Sequence, residues 1–221
     1  MHITYKKVGE TPLECLKRLR AEENISLEVP MTYAGRLDPM AEGQLIILIG
    51  DECKEKNKYT DLDKEYEVEV LLGVETDSYD VLGVINKVYL NKKEPDLGKF
   101  IGKFDQKYPI YSSKIISMKE IPDEMPVKEV EIYSIESLGN REIKGQDISK
   151  EATEKIGKVK GDFRQNEIIK RWNEFNDKYG QEIFKIIKIK VVCSSGTYMR
   201  SLAQNMGGLA FSINRIKIML K

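Results

Sequence analysis

Apolar and polar positions divide the chain into stretches of different period. Leu13, Leu16 and Leu19 mark one apolar face behind Thr11-Pro12-Leu13-Glu14, which reads as an N-cap, a proline at the first helical position and a capping-box glutamate. This predicts a helix that fades near Asn24. Gln44-Leu-Ile-Ile-Leu-Ile-Gly50 is a short apolar run bounded by glycine and reads as a buried strand. Alternating segments at 66–72, 81–90, 127–138 and 183–192 predict further strands, and 95–101 a short helix. From 140 to 181 the chain turns polar, charged and helical in pattern. Asp162 with Gln165 has the spacing of a second capping box, Ile168, Trp172, Phe175 and Tyr179 form one apolar stripe, and Gly180 is a natural stop. The pattern is that of a helical insertion at 140–181, packed by its stripe on a single domain spanning 1–221.

Composition narrows the class. The 221 residues carry 36 Lys+Arg against 36 Asp+Glu, with 41% hydrophobic and 33% charged residues, an ordinary balance for a globular chain able to bury a sizeable core. No apolar run approaches the roughly 18 to 20 residues needed to span a bilayer, so no membrane partner is expected. The N-terminal Met-His-Ile-Thr-Tyr-Lys-Lys lacks the apolar stretch of a signal peptide, and three widely spaced cysteines fit a reducing compartment. The expectation is a cytoplasmic protein.

The inventory also removes chemistries. His2 is the only histidine, which disfavours Ser-His-Asp and Cys-His mechanisms, and no cysteine pair has zinc-finger spacing. Neither a Walker-type phosphate loop nor a dinucleotide fingerprint is present. Catalysis must come from carboxylates, tyrosines, lysines, arginines or a bound metal. Net neutrality hides an asymmetry: residues 51–80 hold eleven acidic and four basic side chains, whereas 185–221 hold seven Lys/Arg and no acid. Such segregation is a candidate footprint for a polyanion or simply two solvated faces.

Tyr33-Ala-Gly-Arg36-Leu-Asp38-Pro-Met-Ala-Glu-Gly43 is the strongest local signal. Pro39 disfavours helical geometry at Asp38, so the carboxylate should stand on an extended loop ahead of a buried strand. This segment resembles the aspartate motif of the pseudouridine synthases, in particular the tRNA pseudouridine-55 synthase (TruB) family. Four further segments agree in order: Tyr5-Lys6-Lys-Val-Gly-Glu-Thr-Pro, Lys64-Glu-Tyr66 with the acidic loop 72–83, Gln106-Lys-Tyr-Pro-Ile-Tyr111-Ser-Ser-Lys114, and Cys193-Ser-Ser-Gly-Thr-Tyr198-Met-Arg200.

The resemblance implies an α+β fold with a mixed, largely antiparallel sheet flanked by helices. It implies a reaction that isomerises uridine to pseudouridine in RNA, most directly the T-loop uridine of tRNA, without metal or cofactor. Asp38 becomes the nucleophile, Tyr66 the residue that stacks on the flipped base, and Arg200 the bidentate partner of Asp38 in the first turn of a helix capped by Thr197. Tyr33, Arg36, Lys6, Tyr111, Lys114 and Tyr198 become RNA contacts. Tyr33 replaces the histidine usual in bacterial members, residues 115–125 form a shortened thumb, and the chain ends before any C-terminal PUA-type RNA-binding domain. Lys158, Lys160 and Arg164 on the insertion are expected to grip the tRNA backbone in its stead, the protein acting as a monomer on the T-arm. Another RNA such as ribosomal RNA, or an RNA-folding chaperone role, stays open.

Overall fold

The computed structural model describes residues 1–112, 115 and 122–220. Its centre is an eight-stranded sheet built from β1 (His2–Lys6), β2 (Met31–Ala34), β3 (Ala41–Ile49), β4 (Asp63–Leu72), β7 (Gly102–Lys107), β8 (Val127–Lys144), β9 (Ile183–Cys193) and β10 (Gly208–Met219). The order is β1-β3-β10-β4-β9-β8-β7, with β2 beside β3. Every pair is antiparallel except β3 with β10. β5 (Val74–Thr76) and β6 (Ile85–Val88) form a separate hairpin.

Local chemistry explains the elements. The helix α1 (Pro12–Glu22) starts at Thr11 with both limbs of the capping box formed. Along β4, Lys64, Tyr66, Val68 and Val70 are buried while Glu65, Glu67 and Glu69 face outward, the two-residue period of a half-covered strand. The inward row joins Ile189, Val191, Ile213 and residues of α4 (Met199–Asn205) in one core beneath the cleft. A second core lies under α2 (Gly145–Ile156) and α3 (Gln165–Tyr179), where Ile148, Ile156, Ile168, Trp172 and Phe175 pack on Leu71, Val81, Leu209 and Phe211. Trp172 donates its indole N–H to the Val81 carbonyl at 3.1 Å, and Ser149 Oγ donates to the Trp172 carbonyl at 2.8 Å.

Four expectations change. The 81–90 segment is a strand only over Ile85–Val88. Residues 77–84 instead fold as a buried turn, because Asp80 Oδ1 accepts from Ser78 Oγ and the Leu82 amide, and Asp77 Oδ1 accepts from the Val84 amide. β8 continues to Lys144, paired through Lys144↔Ile183, so the helical stretch begins at Gly145 rather than 140. Asp162 and Gln165 make no capping box: Arg164 is the N-cap residue at φ 62°, and Gln165 turns back to Gly161 O. Thr197 is likewise not the cap of α4, since Tyr198 holds that position and Thr197 Oγ1 donates to Ser194 O.

The charge asymmetry also acquires a structural meaning. The acidic strand β4 lies between the basic strands β9 and β10. Lys188 pairs with Glu67 at 2.6 Å, and Lys190 with Glu136 on β8 at 2.7 Å. Part of the apparent polyanion footprint is therefore cross-strand neutralisation on a solvated face, where solvent screening leaves each pair little effect on stability.

Candidate active site

Asp38 stands on the loop from β2 to β3, after Gly35 makes a left-handed turn at φ 69°. The loop is tied on both flanks by buried cations. Upstream, Arg215 on β10 donates to Gly35 O at 3.0 Å, Arg36 O at 3.2 Å and Gln44 O at 2.7 Å. Downstream, the Lys6 ammonium donates to Lys7 O, Pro39 O and Ala41 O. Carbonyl oxygens thereby take the place of a carboxylate partner for these two cations.

Arg200 enters from the first turn of α4 and is almost fully buried. Its Nε donates to Asp38 Oδ2 at 2.7 Å, Nη1 to Ser78 O at 2.9 Å and Nη2 to Tyr111 O at 3.5 Å. The contact with Asp38 thus runs through one nitrogen, not the expected two, because the rest of the guanidinium is spent on backbone carbonyls. Asp80 Oδ2 lies 3.9 Å from the same Nε. Burial pulls the Arg200 pKa down, but Asp38 and Asp80 outweigh it and hold the group above its ordinary value. Burial also pushes the Asp80 carboxyl up to about 6, against the pull of Arg200 and with the nearby Asp38 adding to the rise.

Tyr66 lies opposite Arg215 across the β4–β10 pair and forms, with Asp38, Arg200, Tyr198 and Ile213, part of the wall of a cavity of about 270 Å³. Burial raises its phenol above the ordinary 10.0 despite neighbouring Arg215. The phenol is therefore a poor proton acceptor at neutral pH. Two groups on this wall were not marked by sequence reasoning as site residues. Lys64, pushed down to about 8 by burial and then by Arg215, donates to Thr60 O at 3.1 Å. Its position two residues before Tyr66 on a strand was the available signal. Arg215 shares a strand face with Ile213 but carried no motif.

The remaining expected contacts separate. Arg36 is exposed, and Tyr33 is half-buried with Lys56 and Arg36 5.4 and 5.9 Å from its ring centre. Tyr198 is half-buried and packs edge-on to Tyr108. Lys6 is corrected: it is fully buried, with a pKa lowered by burial to about 8, so it braces the Asp38 loop from inside and cannot touch RNA. Arg164 is corrected in part, because its guanidinium is already held by Asp77 at 2.9 and 3.3 Å and lies 4.5 Å from the exposed Tyr111 ring centre. Lys158 and Lys160 are exposed on the α2–α3 connection. Lys114 and most of the expected thumb, residues 116–121, lie outside the described residues.

A sheet of this architecture is found in other proteins. The chain is similar in fold to a chain of a Cbf5–Nop10–Gar1 complex, with a TM-score of 0.55 at 15% identity, covering 97% of this chain and 47% of that one. It is similarly related to a chain of an H/ACA RNP bound to a substrate RNA containing 2′-deoxyuridine, with a TM-score of 0.53 at 14% identity over 97% and 45% of the two chains. The likeness is one of fold. More narrowly, the chain belongs to the TruB family of pseudouridylate synthases, whose N-terminal domain model matches residues 27–148. Curated relatives include proteins called tRNA pseudouridine synthase B from Trichormus variabilis (28% identity, 92% of this chain and 60% of the relative) and Borreliella afzelii (29% identity, 95% and 62%). The chain thus spans about three fifths of the length of these relatives.

Proposed function

We propose that the chain converts uridine to pseudouridine in tRNA, with the T-loop uridine as target and Asp38 as nucleophile. The observation that carries this reading is a half-exposed carboxylate, aimed by a buried arginine into a cavity walled by a buried tyrosine. The names of the curated relatives support tRNA as substrate.

The target base leaves its stack, enters the cavity and lies against Tyr66, which offsets part of the few kcal/mol that flipping costs. Arg200 orients Asp38 through its Nε contact. The carboxylate either adds to C1′ as the N1–C1′ bond breaks, or stabilises a glycal-like or cation-like sugar while the base is free. The base turns, C5 bonds to C1′, the carboxylate is released, and the C5 proton is lost as N1 gains one. The protein works in the cytoplasm as a monomer, and Lys158 and Lys160 contact the RNA backbone.

Pseudouridine mapping on a T-arm stem-loop and on full-length tRNA tests this. Wild-type protein should modify the T-loop uridine without added metal or cofactor. Asp38→Asn should lose about a thousandfold or more in rate while unfolding like wild type. Modification of a different RNA would move the substrate assignment, and unchanged turnover in the variant would remove Asp38 from its role.

A further inference from the structure

Asp38 and Arg200 border two cavities. The second, of about 310 Å³ and without Tyr66 in its wall, is comparable to the about 270 Å³ of the first. Its apolar surface comes from Pro39, Leu82, Tyr111 and Phe163. Phe163 belongs to the α2–α3 connection, so this wall exists only because the helical pair is docked against the catalytic loops. The docking is specific. Arg164 grips Asp77 while covering the Tyr111 ring, and the Phe163 amide, donating to Gln165 Oε1 at 2.8 Å, holds the connection's own turn. At the other end of the connection, a Cβ on Gly9 would sit 2.5 Å from Lys158 O, so the segment is seated against the turn beside Asp38 as well.

We propose that this cavity is a subsite for the nucleobase of one of the two nucleotides flanking the target uridine, built by the α2–α3 connection. The proposal rests on the RNA reading given above. A base suits the site better than a phosphate. Three carboxylates border the cavity, from Asp38, Asp80 and Asp162, and both bordering arginines are already engaged, Arg200 by Asp38 and Arg164 by Asp77. A phosphate would meet net negative charge, whereas a flat, neutral base meets aromatic and aliphatic faces. Unstacked RNA bases are commonly held on aromatic rings and on guanidinium planes, and Tyr111 with Arg164 offers both. Because the two cavities share Asp38 and Arg200, a strand that delivers one flipped base to Tyr66 brings its neighbour to Phe163.

The test separates this subsite from the chemistry. T-arm stem-loops are made with the nucleotide 5′ or 3′ of the target uridine replaced by an abasic residue, and Kd is measured on full-length Asp38→Asn protein so that turnover does not interfere. One abasic RNA should bind about tenfold more weakly than the intact RNA. In the Asp38→Asn, Phe163→Ala double variant that penalty should vanish, with both RNAs bound equally. Phe163→Tyr, which keeps the ring, should retain the penalty and guards against a folding artefact. Equal binding of all three RNAs by the parent protein, or a penalty that survives Phe163→Ala, overturns the subsite. Failure of the wild-type protein to form pseudouridine on the intact stem-loop strikes the catalytic reading instead, and the binding result stands separately.

Discussion

The cleft and the α2–α3 pair solve opposite problems with opposite materials. Around Asp38 the buried groups are charged: Lys6, Arg200, Arg215 and Asp80 are each no more than 3% exposed, and each is bonded to backbone or to another charge. Under the helices the buried groups are apolar, with Ile168 and Trp172 at 0%, and the lysines and arginines of those helices mostly stay outside. Buried charge is a costly way to gain stability but an effective way to fix a loop, because every donor must point at a particular acceptor. Apolar packing stabilises without specifying a carboxylate's direction. The cleft should therefore respond to mutation in rate, and the helical pair in stability.

Four changes probe that division. The largest effect is expected at Trp172. Trp172→Ala leaves a void and strips the Val81 carbonyl of its donor, and should cost about 3–5 kcal/mol in urea unfolding. The folded fraction should keep its rate within a few-fold, and a rate collapse in fully folded variant would break the comparison.

Arg215→Met comes next. It removes three carbonyl contacts that set the entry to Asp38 while preserving much of the side-chain volume. Single-turnover rates should fall by about a hundredfold, through misplacement of the Asp38 carboxylate, with RNA affinity little changed. A loss confined to affinity would reassign Arg215 to RNA binding.

The pH dependence is smaller and has a defined sign. Asp80 titrates at about 6 in the folded chain against an ordinary 3.8, so the folded form binds its proton more tightly. Its contribution to stability is present below the ordinary value and is lost as pH rises from about 4 through 6. Activity should move the other way, rising through pH 6 as the ionised Asp80 completes the pairing of Arg200. Asp80→Asn should be slower and flat across this window. A persisting inflection near 6 would place the titration elsewhere.

The smallest effect is expected on the exposed connection. Replacing Lys158 and Lys160 by glutamate should weaken tRNA binding and lower the salt slope by roughly one for each lost phosphate contact, with turnover at saturating RNA unchanged. An unaltered slope would leave these lysines as a solvated face.

Several parts of this arrangement could be read before any coordinates. Thr11, Pro12 and Glu14 place α1 because a capping box is a contact among residues three apart. Pro39 puts Asp38 on a loop for an equally local reason, and the motif around Arg200 puts that arginine at a helix start. Three readings failed, two through contacts far along the chain and one through side chains that compete with the strand ladder locally. Lys6 looked like an RNA contact because nothing nearby reveals that Pro39 and Ala41 will surround its ammonium. The 81–90 run looked like one strand because its alternation does not show that Asp77 and Asp80 side chains will take the amides of Leu82 and Val84. The opposed charge runs looked like a binding footprint until strand order set one beside the other.

The amino-acid sequence alone determined what period, capping and backbone stiffness can dictate: where α1 starts, which strand faces are apolar, and which loop carries the aspartate. Tertiary structure alone decided which charges are buried, which carbonyls they hold, and that one arginine serves Asp38 and Asp80 together. It also decided that the α2–α3 connection closes a second cavity beside Asp38. The reason is physical: the groups that meet there are separated by 87 to 162 residues, and desolvation acts on a charge only after folding has chosen its neighbours.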